Sequence, residues 1–246
     1  MRRPALSLQF TDVWRGQELA HTQERVVSSG HERLDAQLPG GGWPLGQLVE
    51  LLQEQPQQHA WQLLLPALVQ ATRQETGPVV LVGSPFEPFC PGLQAQGLVA
   101  QRLLLVNADQ PAARLWATEQ ALRCAEVAAV VAWLPRCTSA DLRRLHVAAQ
   151  QHGRLLFVFR SSKAQAEASP ARVRLLLQGA QQLQVRIFKR RGPPLLQPIE
   201  LPAQPARLAA LLDTRKGKPA GVPALPPALP ISRSRSHVLD RTAAPA

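Results

Sequence analysis

Hydrophobic positions along this chain come in short, nearly unbroken runs. They are Gln47–Leu52, Val79–Gly83, Leu103–Asn107, Val127–Leu134 and Leu155–Arg160. Runs without polar alternation predict strands buried on both faces, as in a parallel sheet. Between them lie Ala60–Gln74, Ala112–Ala125 and Ser139–His152, rich in Ala, Gln and Leu and patterned as helices. In the last of these, Ser139 is a candidate cap, and Leu142, Leu145, Val147, Ala148 and Ala149 supply an apolar face. Pro66 interrupts the first candidate helix and weakens it, since proline donates no backbone hydrogen bond.

After Arg160 the pattern changes. Val173–Leu177, Leu183–Lys189 and Leu195–Glu200 read as short antiparallel strands, separated by breaks at Gln178-Gly179 and Arg191-Gly192-Pro193-Pro194. Residues 1–25 are polar and weakly patterned and form an arm. Residues 26–202 make one α/β domain. From 203 to 246 Pro, Ala, Arg and Ser dominate, which predicts a disordered tail unable to bury a core. The expected fold is α/β: a mostly parallel central sheet flanked by helices, extended by C-terminal antiparallel strands.

Charge adds a partner class. Twenty-eight Lys and Arg against 17 Asp and Glu give a net charge of +11, a field that favours polyanions or acidic protein surfaces. The three cysteines, Cys90, Cys124 and Cys137, are scattered without zinc-ligand spacing, so no metal site is expected and buried free thiols are. Met1-Arg2-Arg3-Pro4 leads into no apolar stretch, and no run is long enough to span a bilayer, so a cytoplasmic protein without membrane contact is expected. No Ser/His/Asp, Cys/His or paired-carboxylate arrangement stands out, so no catalytic residue is assigned.

The most informative segment runs from Gly30 to Glu50. It combines Leu34-Asp35, the glycine run Gly40-Gly41-Gly42, the turn Pro44-Leu45-Gly46, and a strand ending in Glu50. This resembles the lead-in to the core of RecA-like proteins, where a phosphate-binding loop follows. Such a loop, G-x-x-x-x-G-K-[ST], needs glycines to cradle phosphates, a lysine for the β/γ-phosphates and a hydroxyl for Mg²⁺. Counted from Glu50 without a gap, Gln53 and Gln58 stand at the glycines, His59 at the lysine and Ala60 at the hydroxyl. Pro56 removes an amide donor from the same loop. The strand 127–134 carries no acid where a metal-positioning aspartate would end it. After Val79–Val82 the one candidate carboxylate is Glu87, in a loop. An ATPase needs both phosphate binding and metal positioning, so neither a cofactor nor hydrolysis is expected.

A RecA relative with this erased loop resembles the ImuA family. The resemblance rests on residues 84–89 (Ser-Pro-Phe-Glu-Pro-Phe), 118–123 (Thr-Glu-Gln-Ala-Leu-Arg), 132–134 (Ala-Trp-Leu), 142–149 (Leu-Arg-Arg-Leu-His-Val-Ala-Ala) and 189–192 (Lys-Arg-Arg-Gly). It covers roughly residues 26–202. It implies a non-enzymatic accessory protein of SOS-induced mutagenic translesion DNA synthesis. It also implies three partners: an ImuB-like homologue of Y-family polymerases, RecA, and an error-prone replicative-type polymerase. Two alternatives stay open: a SulA-like inhibitor of cell division built on a similar ATP-free scaffold, and a residual nucleotide-binding ATPase.

Single residues divide between packing and contact. Trp133 reads as core first and as a stacking platform second. Arg143 and Arg144 read as the watered side of a helix first and as a partner surface second. His59 reads as structural. Lys189, Arg190 and Arg191 sit at a turn, and Arg233 and Arg235 in the tail. Together they are the expected contact to a partner or, as phosphate ligands, to single-stranded DNA.

Overall fold

The innermost strands form where side chains on both faces are apolar and β-branched or leucine, so that only a sheet covered on both sides satisfies them. The structure, a computed structural model, describes residues 25–55, 60–179, 182–192, 195 and 197–202. The arm before Arg25 and the tail from 203 onward lie outside these residues. In chain order the elements are β1 (Val26–Val27), α1 (Glu32–Asp35), β2 (Trp43–Pro44), β3 (Gln47–Gln53), α2 (Ala60–Gln74), β4 (Val79–Val82), α3 (Cys90–Ala95), β5 (Leu103–Val106), α4 (Pro111–Arg123), β6 (Ala129–Trp133), α5 (Ser139–His152), β7 (Leu155–Ser161), β8 (Val173–Gln178), β9 (Leu183–Lys189) and β10 (Ile199–Leu201).

Eight strands build one sheet in the order β10-β9-β8-β3-β7-β6-β4-β5. The six from β8 to β5 are parallel to their neighbours. β9 and β10 continue the sheet antiparallel, as the pattern after Arg160 predicts. Helix α2 packs with Leu63, Leu64 and Leu68 against one face, over Val49, Leu51, Leu81, Val131 and Phe157. Helices α4 and α5 cover the other with Leu122, Leu142 and Leu145, over Leu48, Val80, Val130 and Val158. β1 and β2 make a separate two-stranded pair.

Four expectations of packing need correction, the first that the cysteines are buried: Cys124 is exposed and Cys90 and Cys137 are half-buried. Continuous burial fails at β5, where Leu104 is 50% exposed, because this strand closes the sheet and has a neighbour on one side only. Helix α5 is capped by Thr138, not Ser139. The Thr138 hydroxyl accepts from the Asp141 amide and the Asp141 carboxylate accepts from the Thr138 amide, a reciprocal capping box. Val147 does not join the apolar face of α5 but stands 45% exposed.

The lead-in segment is held by side chains that the motif itself supplies. Asp35 accepts from the Ser29 amide at 2.8 Å and the Ser28 hydroxyl at 2.6 Å, tying the turn before α1 to its end. Gly30, with φ +77°, lies against Pro66 so closely that a Cβ there would come within 2.3 Å of the proline Cβ. Pro66 in turn cannot give α2 the amide that would bond the carbonyl one turn earlier, that of Gln62. His31 Nε2 sits 3.1 Å from that carbonyl and donates to it. The proline that weakens the helix in sequence is thus matched by a donor from the same segment.

Candidate functional site

The sequence position of the phosphate loop falls where a nucleotide site would be built. β3 is a central strand, and its carboxyl end leads through a short connection into the start of α2. In parallel α/β sheets ligands bind beyond the carboxyl ends of the strands. Gln53 ends β3 with its side chain buried, Glu54 and Gln55 are exposed, and Ala60 opens α2 as a buried methyl. Gln58 and His59 lie outside the described residues. Ala60 offers no hydroxyl to a metal, as its sequence predicts.

One strand, β7, separates β3 from β6, the strand expected to end in a metal-positioning acid. β6 ends instead in Trp133, buried and stacked on Phe159 of β7 at 5.0 Å between ring centres and 11° between planes. Both rings belong to the core beneath α2, so Trp133 is a packing residue. Two aromatic rings fill the place of a hydrated carboxylate. Glu87 lies exposed in the loop after β4, between the exposed Phe86 and the buried Pro88. A cleft of about 410 Å³ does open at the carboxyl ends of β5 and β6, between Asp109, Arg114, Leu134 and Arg136. Arg114 is committed there to the Ala108 and Trp133 carbonyls.

The strongest electrostatic arrangement lies elsewhere, and sequence reading missed it. Glu50 does not end its strand: Leu51, Leu52 and Gln53 continue β3, and Glu50 is fully buried in its middle. Arg174, its register partner on β8, reaches it through Nε at 2.6 Å, and Arg160 on β7 through Nη1 at 2.9 Å. Arg160 also donates to Glu167 at 2.6 Å and to the Cys137 carbonyl at 2.9 Å. Arg174 donates to the Ala164 carbonyl at 2.9 Å and lies 4.8 Å over the Phe188 ring. Burial opposes the charge on Arg160, but the Glu167 carboxylate, Cys137 and Glu50 outweigh it and move its pKa upward. Burial pushes the neighbouring Cys137 thiol up to about 11. This thiol is therefore neutral and unreactive near pH 7. The network is charge-balanced, two carboxylates against two guanidiniums, with Glu50, Arg160 and Arg174 buried and Glu167 at the surface. It joins three adjacent strands. Charges at Glu50, Arg160 and Arg174 inside apolar runs were the signal that could have found it.

The expected cationic turn is drawn apart. Lys189 ends β9 and donates to the Ser169 carbonyl at 2.8 Å. Its pKa is lowered by burial and then by Arg174. Arg190 reaches the opposite way, to the backbone carbonyl of Gln37 at 2.6 Å and its side-chain oxygen at 2.9 Å. Arg191 is exposed beside Gly192. The turn thus presents these cations in different directions. Arg233 and Arg235 lie outside the described residues. Among the described residues no group of His, Cys, Asp and Glu could hold a metal ion, and no helix is long and apolar enough to cross a membrane.

No family profile matches the chain. Protein ImuA from two strains of Caulobacter vibrioides is 32% identical to it over 136 residues, 54% of this chain and 56% of theirs. The chain therefore spans about half the length of the curated relatives it matches.

Proposed function

On the premise of this kinship with Protein ImuA, we propose that the chain is a non-enzymatic accessory protein of SOS-induced mutagenic translesion DNA synthesis. It works by binding an ImuB-type polymerase homologue and RecA, in a complex with an error-prone replicative-type polymerase, and acts in the cytoplasm. The observation that carries the non-enzymatic part is the pairing of Ala60 with Trp133 at the two positions where an ATPase places its metal ligands. A hydroxyl and a carboxylate hold Mg²⁺ between β- and γ-phosphates, and a methyl and an indole can hold neither. What remains is a rigid sheet scaffold with cationic helices and turns, suited to protein contact.

The test is co-purification of the full chain with its ImuB-type partner and with RecA, alongside equilibrium dialysis against Mg-ATP. Stable complexes without saturable ATP binding are expected. Micromolar ATP binding would restore the ATPase reading, and absence of both complexes would remove the accessory one.

A further inference from the structure

Helices α4 and α5 pack side by side on one face of the sheet. Their outer side carries a feature that the fold does not use. Trp116 on α4 is 64% exposed, and Val147 on α5 is exposed as well. Trp116, Glu119 and Arg123 recur at i, i+3 and i+7, which puts them on one stripe of α4. Arg143, Arg144 and Val147 make the corresponding stripe of α5.

The two stripes are stitched by one carboxylate. Glu119 is nearly buried and accepts from Arg123 Nη2 at 2.7 Å and from Arg144 Nε at 3.0 Å. Both arginines stay more than half exposed, so each is fixed in place but still presents donors to a partner. Arg143 adds a third exposed cation. Glu119 offsets one charge of the three, and Asp141 on the same helix is committed to the Thr138 cap. The result is an exposed indole and an aliphatic side chain among pre-positioned guanidiniums. Trp and Arg of this kind dominate the energetics of protein interfaces.

We propose that the α4–α5 face docks an acidic amphipathic segment of a partner protein, with apolar side chains on Trp116 and Val147 and carboxylates on Arg123, Arg143 and Arg144. This rests on the accessory reading above and names the surface that serves it. Charge complementarity selects the occupant. A second copy in a two-fold pairing would set the same arginines against each other. A single strand of nucleic acid needs successive stacking faces and an unopposed cationic track. Here there is one aromatic ring, with a carboxylate directly beneath the arginines.

The experiment measures binding of the full chain to the immobilised ImuB-type partner and to RecA. It compares wild type with Trp116→Ala and with Arg143→Glu plus Arg144→Glu, at two salt concentrations. The Trp116 variant should weaken one of these complexes about tenfold or more. The charge reversal should weaken it further, mostly through slower association at low salt. Thermal unfolding of Trp116→Ala should be unchanged, because the indole is exposed. If wild type binds and all variants bind equally, this face is not the docking surface and the accessory reading stands. If wild type binds neither protein, both fall. Loss of single-stranded oligonucleotide binding or of self-association in the variants, with protein binding intact, would overturn the proposal in favour of those occupants.

Discussion

Strand β3 carries two regions that a nucleotide-binding protein would use together, and they differ completely. In the middle of the strand, Glu50 keeps a buried charge with every neighbouring group arranged around it: Arg174, Arg160, and through Arg160 the Glu167 carboxylate. At its carboxyl end, the loop toward α2 has Gln53, Gln58, His59 and Ala60 where phosphate chemistry needs Gly, Gly, Lys and a hydroxyl. Removing one member of a buried ion pair is costly because it leaves the other charge buried and uncompensated. A phosphate loop has no such protection, because its residues face a ligand and not the core. The comparison separates what holds the sheet together from what would serve ATP.

Breaking the retained half has the largest expected effect. Glu50→Gln removes the negative charge between two buried guanidiniums and should destabilise the fold by about 3–5 kcal/mol, read as a drop in the urea midpoint. Arg174→Met should do similar damage by leaving Glu50 with Arg160 alone. A loss under about 1 kcal/mol in both would mean that water or rearrangement already compensates these charges.

A smaller effect is expected in the segment before β3. His31→Ala removes the donor supplied to the Gln62 carbonyl, at a cost of about 1–3 kcal/mol. Pro66→Ala returns an amide to that turn of α2, so His31→Ala should cost less in the Pro66→Ala background. Coupled neighbours differ by about 0.5–3 kcal/mol in such a double-mutant cycle. Strict additivity would show that the proline and the histidine are independent.

These two regions also mark what could be read in the sequence. Strand and helix positions were legible because unbroken apolar runs admit few arrangements: β9 and α5 lie where the pattern puts them, and β3 is one residue longer. The erased loop was legible because each missing residue type has a chemical duty. The Glu50 network was not, because its two arginines lie more than a hundred residues from Glu50 along the chain and meet it only through the pairing of β3 with β7 and β8. The role of His31 was hidden because its partner, the Gln62 carbonyl of α2, is reached only in the folded chain. Lys189 and Arg190 looked like one patch because they are adjacent in sequence. Adjacent residues at the end of a strand point to opposite sides, and these two find different carbonyls.

The cap of α5 gives a more modest test of the same scaffold. Thr138→Ala removes the hydroxyl arm of the capping box, leaves the backbone-amide arm to Asp141, and should cost about 1 kcal/mol. Asp141 has a carboxyl held below its usual range by its bonds to the Thr138 backbone and hydroxyl. Its contribution is present above the ordinary carboxylate pKa and is lost as pH falls through the depressed value. The histidines act at higher pH. Burial lowers the pKa of His31, and burial followed by Arg172 lowers that of His146, whose Nδ1 accepts from the Leu48 amide. The unfolded chain takes these protons first, near pH 6.5. Stability should therefore decline as pH falls below that value and stop declining once the folded histidines are charged. The slope should flatten in a His31→Asn, His146→Asn variant, measured by urea unfolding between pH 7.5 and 5.

The erased half predicts no effect at all, and that is its sharpest test. His59→Lys with Ala60→Thr restores the two side chains most closely tied to phosphate and metal. Gln53 and Gln58 still occupy the glycine positions, where φ > 0 is costly for a residue with a Cβ. Pro56 still lacks an amide. Trp133 still ends β6, packed on Phe159, where no carboxylate can stand without dismantling that stack. Phosphoryl transfer depends on positioning and charge stabilisation acting together, so two correct side chains in an otherwise wrong frame should yield no turnover. The measurement is phosphate release from Mg-ATP by wild type and the double variant at equal concentration. Turnover above the wild-type background in the double variant would mean that the loop retains its phosphate-binding shape, and that β3 lost two side chains and not a site.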